Sequence, residues 1–224
     1  MFKAWRSPAF RVQALAVLVA AFAMTAMLIL RDTVDQRFNQ RTAVALGADL
    51  ILEGTRFPEP AQRQQLAETR HAESVKFSSV LVNDDSFLLA SIRAVSAGFP
   101  LYGEIQISDS RFADPYPVDH GPQQGHIWIA GTGLDRLGLQ TGEFITLGER
   151  SLLIDKVIVQ EPDQQAGFYS MNPRALIHID DLQQAAILGE GSRYRHNILV
   201  AADDATRQQL ESSLTPGLRP DQEL

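Results

Sequence analysis

Apolar residues are unevenly spread along this chain. From Val12 to Leu30 nineteen residues pass without a charge, and Gln13 and Thr25 are the only markedly polar members. At ~1.5 Å of rise per residue such a helix matches the hydrocarbon thickness of a bilayer, so residues 12–30 are predicted to be a transmembrane helix. From Arg31 to Leu46 the period changes. Val34, Phe38 and Ala45 make one apolar stripe among Asp35, Arg37, Gln40 and Arg41, which predicts a helical stalk over 31–46, stopped at Gly47. Two readings of the stalk stay open, a relay of motion and a spacer that holds the rest of the chain off the lipid.

Beyond Gly47 the pattern alternates between strand and helix signals. Leu50-Ile51-Leu52 reads as a strand, Pro60 as the first residue of a helix reaching about Thr69, and Val75–Val82 and Phe87–Val95 as strands joined by the turn Asn83-Asp84-Asp85-Ser86. Gly98 and Pro100 end this strand-helix-strand-strand unit. Arg111–Gly125, rich in proline, glycine and charge, reads as a loop or linker. Ile127–Ile129, the turn and strand of Gly138–Gly148, and Ser151–Val159 predict a second, small antiparallel barrel-like unit.

Ala175–Ile179 is a further strand, and Asp180 is expected to cap a short helix carrying Leu182, Ala185 and Ala186 up to Gly189. Tyr194–Ala201 alternates as a strand. Asp203 or Asp204 then caps a last helix with Leu210 and Leu214, ended by Pro216-Gly217. The expected fold class is α+β: a membrane helix with its helical extension, then a mixed α/β domain of two subdomains over 47–224.

Charge orients this arrangement. Residues 1–11 carry Lys3, Arg6 and Arg11 and no acid, so they are expected to form a cytoplasmic basic tail, with everything after the span exported. A cleaved signal peptide competes with the anchor, because Ala21-Phe22-Ala23 has the Ala-x-Ala form, although the apolar run continues past it to Leu30. All 27 acidic residues and 16 of the 20 basic ones follow Arg31, which gives that part a formal charge of −11. Such acidity argues against nucleic acid and against docking on an anionic membrane surface. The absence of cysteine excludes disulfides and thiolate chemistry.

No residue pattern points to catalysis. There is no Gly-x-Ser-x-Gly elbow around Ser151 or Ser170, and no P-loop. His71, His120, His126, His178 and His196 are scattered without metal-ligand spacing, and His178 and His196 read as strand residues meeting solvent or a polar partner. Gly131-x-Gly133 follows a strand but lacks the third glycine of a dinucleotide loop. The pairs Asp84-Asp85, Asp180-Asp181 and Asp203-Asp204 fall at turns and helix starts, where capping explains them. No catalytic, cofactor-binding or metal-ligating residue is therefore assigned, and no cofactor is expected.

A set of short segments, taken in order, carries a family resemblance. Leu46-Gly47-Ala48-Asp49-Leu50-Ile51-Leu52, Ala94-Val95 with Phe99-Pro100-Leu101-Tyr102-Gly103, and Gly142-Glu143-Phe144-Ile145-Thr146-Leu147-Gly148 lead the set. Glu161-Pro162-Asp163 with Gly167, Asn172-Pro173-Arg174, Asp181-Leu182 and Gly191-Ser192-Arg193-Tyr194 with Leu199-Val200 follow. The sequence resembles the N-terminal portion of FtsX-like ABC-transporter permeases with a MacB-like periplasmic core domain, especially the YbbP-type branch.

The resemblance implies a subunit of the bacterial inner membrane, not itself an enzyme, that crosses the bilayer and works with an ATP-binding subunit. That subunit would be reached indirectly, through further membrane helices of this or another permease chain. It implies ATP-driven export or mechanotransmission, with lipidic or otherwise apolar cargo. Residues 201–224 hold none of the family's later membrane helices, so the chain is expected to be a fragment of a longer permease or a natural truncation. A stand-alone anchored periplasmic binding or adaptor module is the alternative.

Overall fold

The computed structural model describes Phe22, Met24, Thr25, Met27 and residues 47–84, 86–162, 172–189 and 192–224. The expected basic tail and stalk lie outside the described residues, as does the transmembrane span apart from the four residues just named. Those four are helical, and Phe22, Met24 and Met27 hold their side chains about three-quarters exposed. Among the described residues no helix is long and apolar enough to cross a membrane. Met1–Thr42 is one compact unit and Ala43–Leu224 another.

In the second unit the order is β1 (Leu50–Gly54), α1 (Pro60–Leu66), β2 (Arg70–Asn83), β3 (Ser86–Val95), β4 (Ile105–Ser108) and β5 (Tyr116–Val118). Then come β6 (His126–Ala130), α2 (Gly131–Leu137), β7 (Phe144–Leu147), β8 (Arg150–Gln160), β9 (Arg174–His178) and α3 (Ile179–Gln184). β10 (Tyr194–Ala201), α4 (Asp204–Leu214), a 3-10 turn at Thr215–Gly217 and β11 (Gln222–Glu223) complete it.

All of the strands belong to one sheet in the order β11-β1-β10-β2-β3-β9-β6-β8-β4-β5, and β7 bridges β2 and β8. That bridge closes a ring: β2 pairs β3, β3 pairs β9, β9 pairs β6, β6 pairs β8, β8 pairs β7 and β7 pairs β2. The barrel expected from the sequence therefore exists with different membership and direction. It takes β2 and β3 from the first unit, and its β3/β9 and β6/β8 pairs are parallel. The two expected subdomains share strands and are not separated at residues 111–125, where β5 interrupts the expected loop.

Alternation fills the ring. Val75, Phe77 and Leu81 of β2, Leu88, Ala90 and Ile92 of β3, Ile127 and Ile129 of β6, and Ile145 and Leu147 of β7 point inward, while the residues between them face out. Leu134 and Leu137 of α2 and Leu182 of α3 join this core. Gly133 lets α2 approach closely, since a Cβ there would stand 2.8 Å from Ile129 Cγ2, so the Gly131-x-Gly133 pair is a packing device. Beside the ring a second core seats Leu66 of α1 and Leu210 and Leu214 of α4 on Leu50 and Leu52 of β1 and Ile198 and Val200 of β10.

Local signals explain most boundaries. Glu59 and Gln62 form the capping box that starts α1, and Pro60 opens its first turn. Asp203, not Asp204, caps α4, accepting from the Thr206 N–H at 2.8 Å. The cap of α3 differs from expectation: His178 ends β9 and caps the helix, its Nδ1 accepting from the Asp180 N–H at 3.3 Å. β4 and β5 went unpredicted, although Ile105 and Ile107 alternate with polar Gln106 and Ser108.

Candidate functional site

Several of the family-like segments, far apart in sequence, meet at the Asp49 end of the sheet. Asp49 Oδ2 accepts from the Ala202 N–H at 3.0 Å and also receives the Tyr102 hydroxyl, which ties the start of β1 to the end of β10 and to the Phe99–Gly103 segment. Arg70 donates to the Leu101 carbonyl at 2.9 Å. Gly103, at φ +76°, lies so close to Pro162 that a Cβ would stand 2.7 Å from the proline Cβ.

Next to these contacts lies a buried charge cluster. Arg93 of β3 donates through Nε to Ser74 Oγ at 2.9 Å and through Nη1 to Glu161 Oε2 at 3.3 Å. Arg174 of β9 donates to the other Glu161 oxygen at 3.1 Å. The Arg93 guanidinium also sits 4.3 Å above the Phe99 ring. One carboxylate thus serves two guanidiniums across β3, β9 and the end of β8, and Arg93 and Glu161 keep under a tenth of their side-chain surface.

Burial pushes the Tyr102 hydroxyl up to about 12, with its hydrogen bond to Asp49 adding to the effect. A raised folded value means a share of stability that is complete below the ordinary pKa of 10 and lost as pH rises towards 12. Tyr102→Phe is expected to cost about 1 kcal/mol at neutral pH. It should also abolish that share of the alkaline loss. Urea unfolding of both proteins at a series of pH values checks both effects; parallel curves up to pH 12 would exclude the Tyr102–Asp49 tie.

Another tie joins β2 to β10. His196, buried, contacts Glu73 Oε2 through Nε2 at 3.0 Å, and Arg63 of α1 donates to the same oxygen at 3.0 Å. The hydrogen bond with His196 is the main cause that holds the Glu73 carboxyl below its usual range, against the opposing effect of burial. Phe57 packs on the His196 ring at 5.0 Å between centroids. The neighbouring Ser96 Oγ accepts from the Glu73 N–H at 2.9 Å.

The other residues singled out by sequence fall into structural roles. His71, His120 and His126 each place Nδ1 beside a backbone carbonyl, those of Thr69, Gly121 and Gln124. Asp84 makes the β2–β3 turn at φ +44°. Asp181, fully buried, accepts from the Gly125 N–H at 2.7 Å and faces Arg150 Nε at 3.4 Å. Ser151 is an exposed residue of β8, and Ser170 and Asp85 lie outside the described residues. Among the described residues no three His, Asp or Glu side chains converge on a metal position. Sequence reasoning did not select Arg93; its signal was a lone cation in the apolar run Ile92–Val95.

A mixed sheet with a closed ring at one end and a helix-covered half at the other defines the class. The fold is that of the periplasmic region of MacB from Actinobacillus actinomycetemcomitans, with a TM-score of 0.50 and 9% identity over 81% of this chain and 90% of that one. The extracellular domain of the noncanonic ABC-type transporter YknZ from Gram-positive bacteria aligns with a TM-score of 0.49 and 9% identity over 78% of this chain and 98% of that one. In sequence the chain is similar to the uncharacterized ABC transporter permease YbbP of Escherichia coli (strain K12), at 25% identity over 226 aligned positions and 99% of this chain. It spans 27% of the length of that curated relative. No protein-family model matches the sequence. The resemblance drawn from the short segments, to FtsX-like permeases with a MacB-like periplasmic core domain, is therefore met both by a relative along nearly the whole chain and by the fold.

Proposed function

We propose that this chain is the anchored, exported part of an ABC-transporter permease subunit in the bacterial inner membrane. Residues 1–11 stay in the cytoplasm, 12–30 cross the bilayer, 31–46 form the stalk and 47–224 are the periplasmic core domain. The observation that carries the reading is the similarity to a permease along 99% of the chain. Strand order supports it: β11 pairs antiparallel with β1, so the last strand runs back towards the end of the sheet at which β1 begins. A domain joined to a membrane at both ends needs that arrangement.

The chemistry assigned to the chain is mechanical. Energy comes from a separate ATP-binding subunit and is passed through further membrane helices; residues 1–11 by themselves are too few for a stable interface, which takes ~20–30 residues a side. Motion then reaches the Asp49 tie, which binds the start of β1 to the end of β10 and to Tyr102, and the Arg93–Glu161–Arg174 cluster, which binds β3 to β9 and the end of β8.

A reporter active only in the periplasm, fused after Leu224, should be active and should remain in the membrane fraction with the chain at full length. A soluble form beginning near Met24 would replace the anchor with a cleaved leader. Co-expressed with the ATP-binding subunit and the remaining membrane helices, the chain should co-purify with both. Direct, tight capture of the ATP-binding subunit by this chain alone would overturn the indirect coupling.

A further inference from the structure

On the outside of the ring, the β2–β3 hairpin and β7 present a face without charge. From Phe77 to Asn83, from Ser86 to Ile92 and from Phe144 to Leu147 no residue is charged, although 21% of the chain is Asp, Glu, Lys or Arg. Register sets the rungs of this face. Ser78 lies opposite Ser91, Val80 opposite Leu89 and Val82 opposite Phe87, and these residues alternate with the inward-facing core. β7 widens the face, pairing Thr146 with Val82 and carrying Phe144 two residues further towards the hairpin turn. Phe87 and Phe144 are 70% and 62% exposed, and Leu89 and Val80 are 49% and 41% exposed.

The face is large enough to be the centre of an interface. At ~200 Å² for a whole aromatic side chain, Phe87 and Phe144 leave about 260 Å² of apolar surface open, and Leu89 and Val80 bring the patch to roughly 400 Å². A standard interface takes ~800 Å² from each side, a little over half of it apolar, or about 450 Å². The patch supplies nearly that amount in one place. Its lack of charge also matters, because two such faces can meet without desolvating an ion.

Shape along the strands selects the partner. At the turn end the face is high, with Phe87 and Phe144; two rungs back it is low, with Ser78 and Ser91. Its midpoint is the Val80–Leu89 rung. A two-fold axis that lies between two stacked copies and crosses the strands at that rung exchanges the high end for the low one. Each Phe87 then lies over the partner's Ser91, each Val82 over the partner's Ser78, and Val80 and Leu89 meet their own equivalents. Sheets stacked in this way stand ~10 Å apart with their strands inclined by about 30°. A contact of this isologous kind closes on itself and gives a dimer, not a fibre.

We propose that this face is the docking surface for a second copy of the chain, stacked sheet against sheet with the strands of the two copies antiparallel. The formal charge of −11 beyond Arg31 makes two copies repel each other, so the dimer tightens as salt screens that repulsion. An interface held by ion pairs would loosen instead. The inference goes beyond the permease reading and does not need it. Association is measured on this chain without the ATP-binding subunit, so the two can fail separately.

The test uses the full chain in detergent. Sedimentation equilibrium should show a monomer–dimer equilibrium that strengthens from low to moderate salt, and Phe87→Asp should weaken it at least tenfold with thermal unfolding unchanged. The chain has no cysteine, so single cysteines report the geometry even if the aspartate variant fails to fold. With a short bismaleimide, Leu89→Cys should crosslink to itself. Phe87→Cys should crosslink to Ser91→Cys in a mixture of two tagged chains. It should crosslink much less to itself, because its own equivalent lies about 14 Å further along the strand at ~3.4 Å per residue. Ser212→Cys, exposed on α4, is the control and should not crosslink. A monomer at every concentration would overturn the proposal, as would a dimer that Phe87→Asp leaves intact, or crosslinking at Ser212 equal to that at Leu89. Phe87 crosslinking to itself more than to Ser91 would overturn the antiparallel stacking. Protection of Leu89→Cys in a monomeric chain, by phosphatidylcholine vesicles or by another protein, would give the face to that occupant instead.

Discussion

Glu161→Ala is expected to lower the stability of the 47–224 domain by about 3 kcal/mol, because it removes the carboxylate that the buried Arg93 and the half-buried Arg174 share. The loss should appear as a lower urea midpoint with an unchanged slope, since the folded and unfolded surfaces stay nearly the same. The cost comes from breaking the pair and does not measure what the pair is worth. Replacing Glu161 and Arg93 together with leucine and methionine should therefore recover most of the loss. If the double variant is as unstable as the single one, the cluster contributes more than mutual neutralisation. In an assembled transporter that double variant would then be informative: a stable domain with impaired transport would mean that the charges specify a working geometry across β3, β8 and β9.

That cluster also shows where sequence reading stopped. Local patterns located most strands and, among the described residues from Gly47 on, all but one of the α-helices: the rhythm of Phe87–Val95 and the proline that opens α1 are visible within ten residues. Closure of the ring is not local. The β7–β2 pairing joins Leu147 to Leu81, sixty-six positions apart, and depends on how the whole sheet coils, so the same strands read in order suggested a separate antiparallel barrel. Parallel pairing of β6 with β8 was hidden likewise, since the intervening β7 looked like the natural partner of both. The ordered family-like segments did better, because turns, close glycines and paired charges are what distant relatives share. Their meaning was not legible: nothing in Asp49, Tyr102 or Glu161 as letters says that they meet, and Arg93 belonged to none of the segments.

Gly148→Ala is expected to be the most damaging single-methyl change in the domain, at about 3 kcal/mol or more. Gly148 turns the chain between β7 and β8 at φ +58°, in the left-handed region that costs an alanine ~1–2 kcal/mol. The added Cβ would also stand 2.2 Å from the Ala185 carbonyl oxygen. That atom is backbone, so no rotamer relieves the clash. Ala185 is held from two sides, its carbonyl accepting the Glu149 N–H at 3.1 Å and its own N–H donating to the Asp181 carbonyl at 2.8 Å. To admit the methyl, α3 must move and take Asp181 with it, loosening the carboxylate from the Gly125 N–H and from Arg150. Gly138→Ala provides the control. Gly138 has a similar φ of +66° with nothing near its Cβ position, so it should show the backbone cost alone, ~1–2 kcal/mol. Thermal and urea unfolding of the two variants separate strain from close approach. Equal losses would mean that the β7–β8 turn does not bear on α3, and that the Gly142–Gly148 segment serves the turn alone.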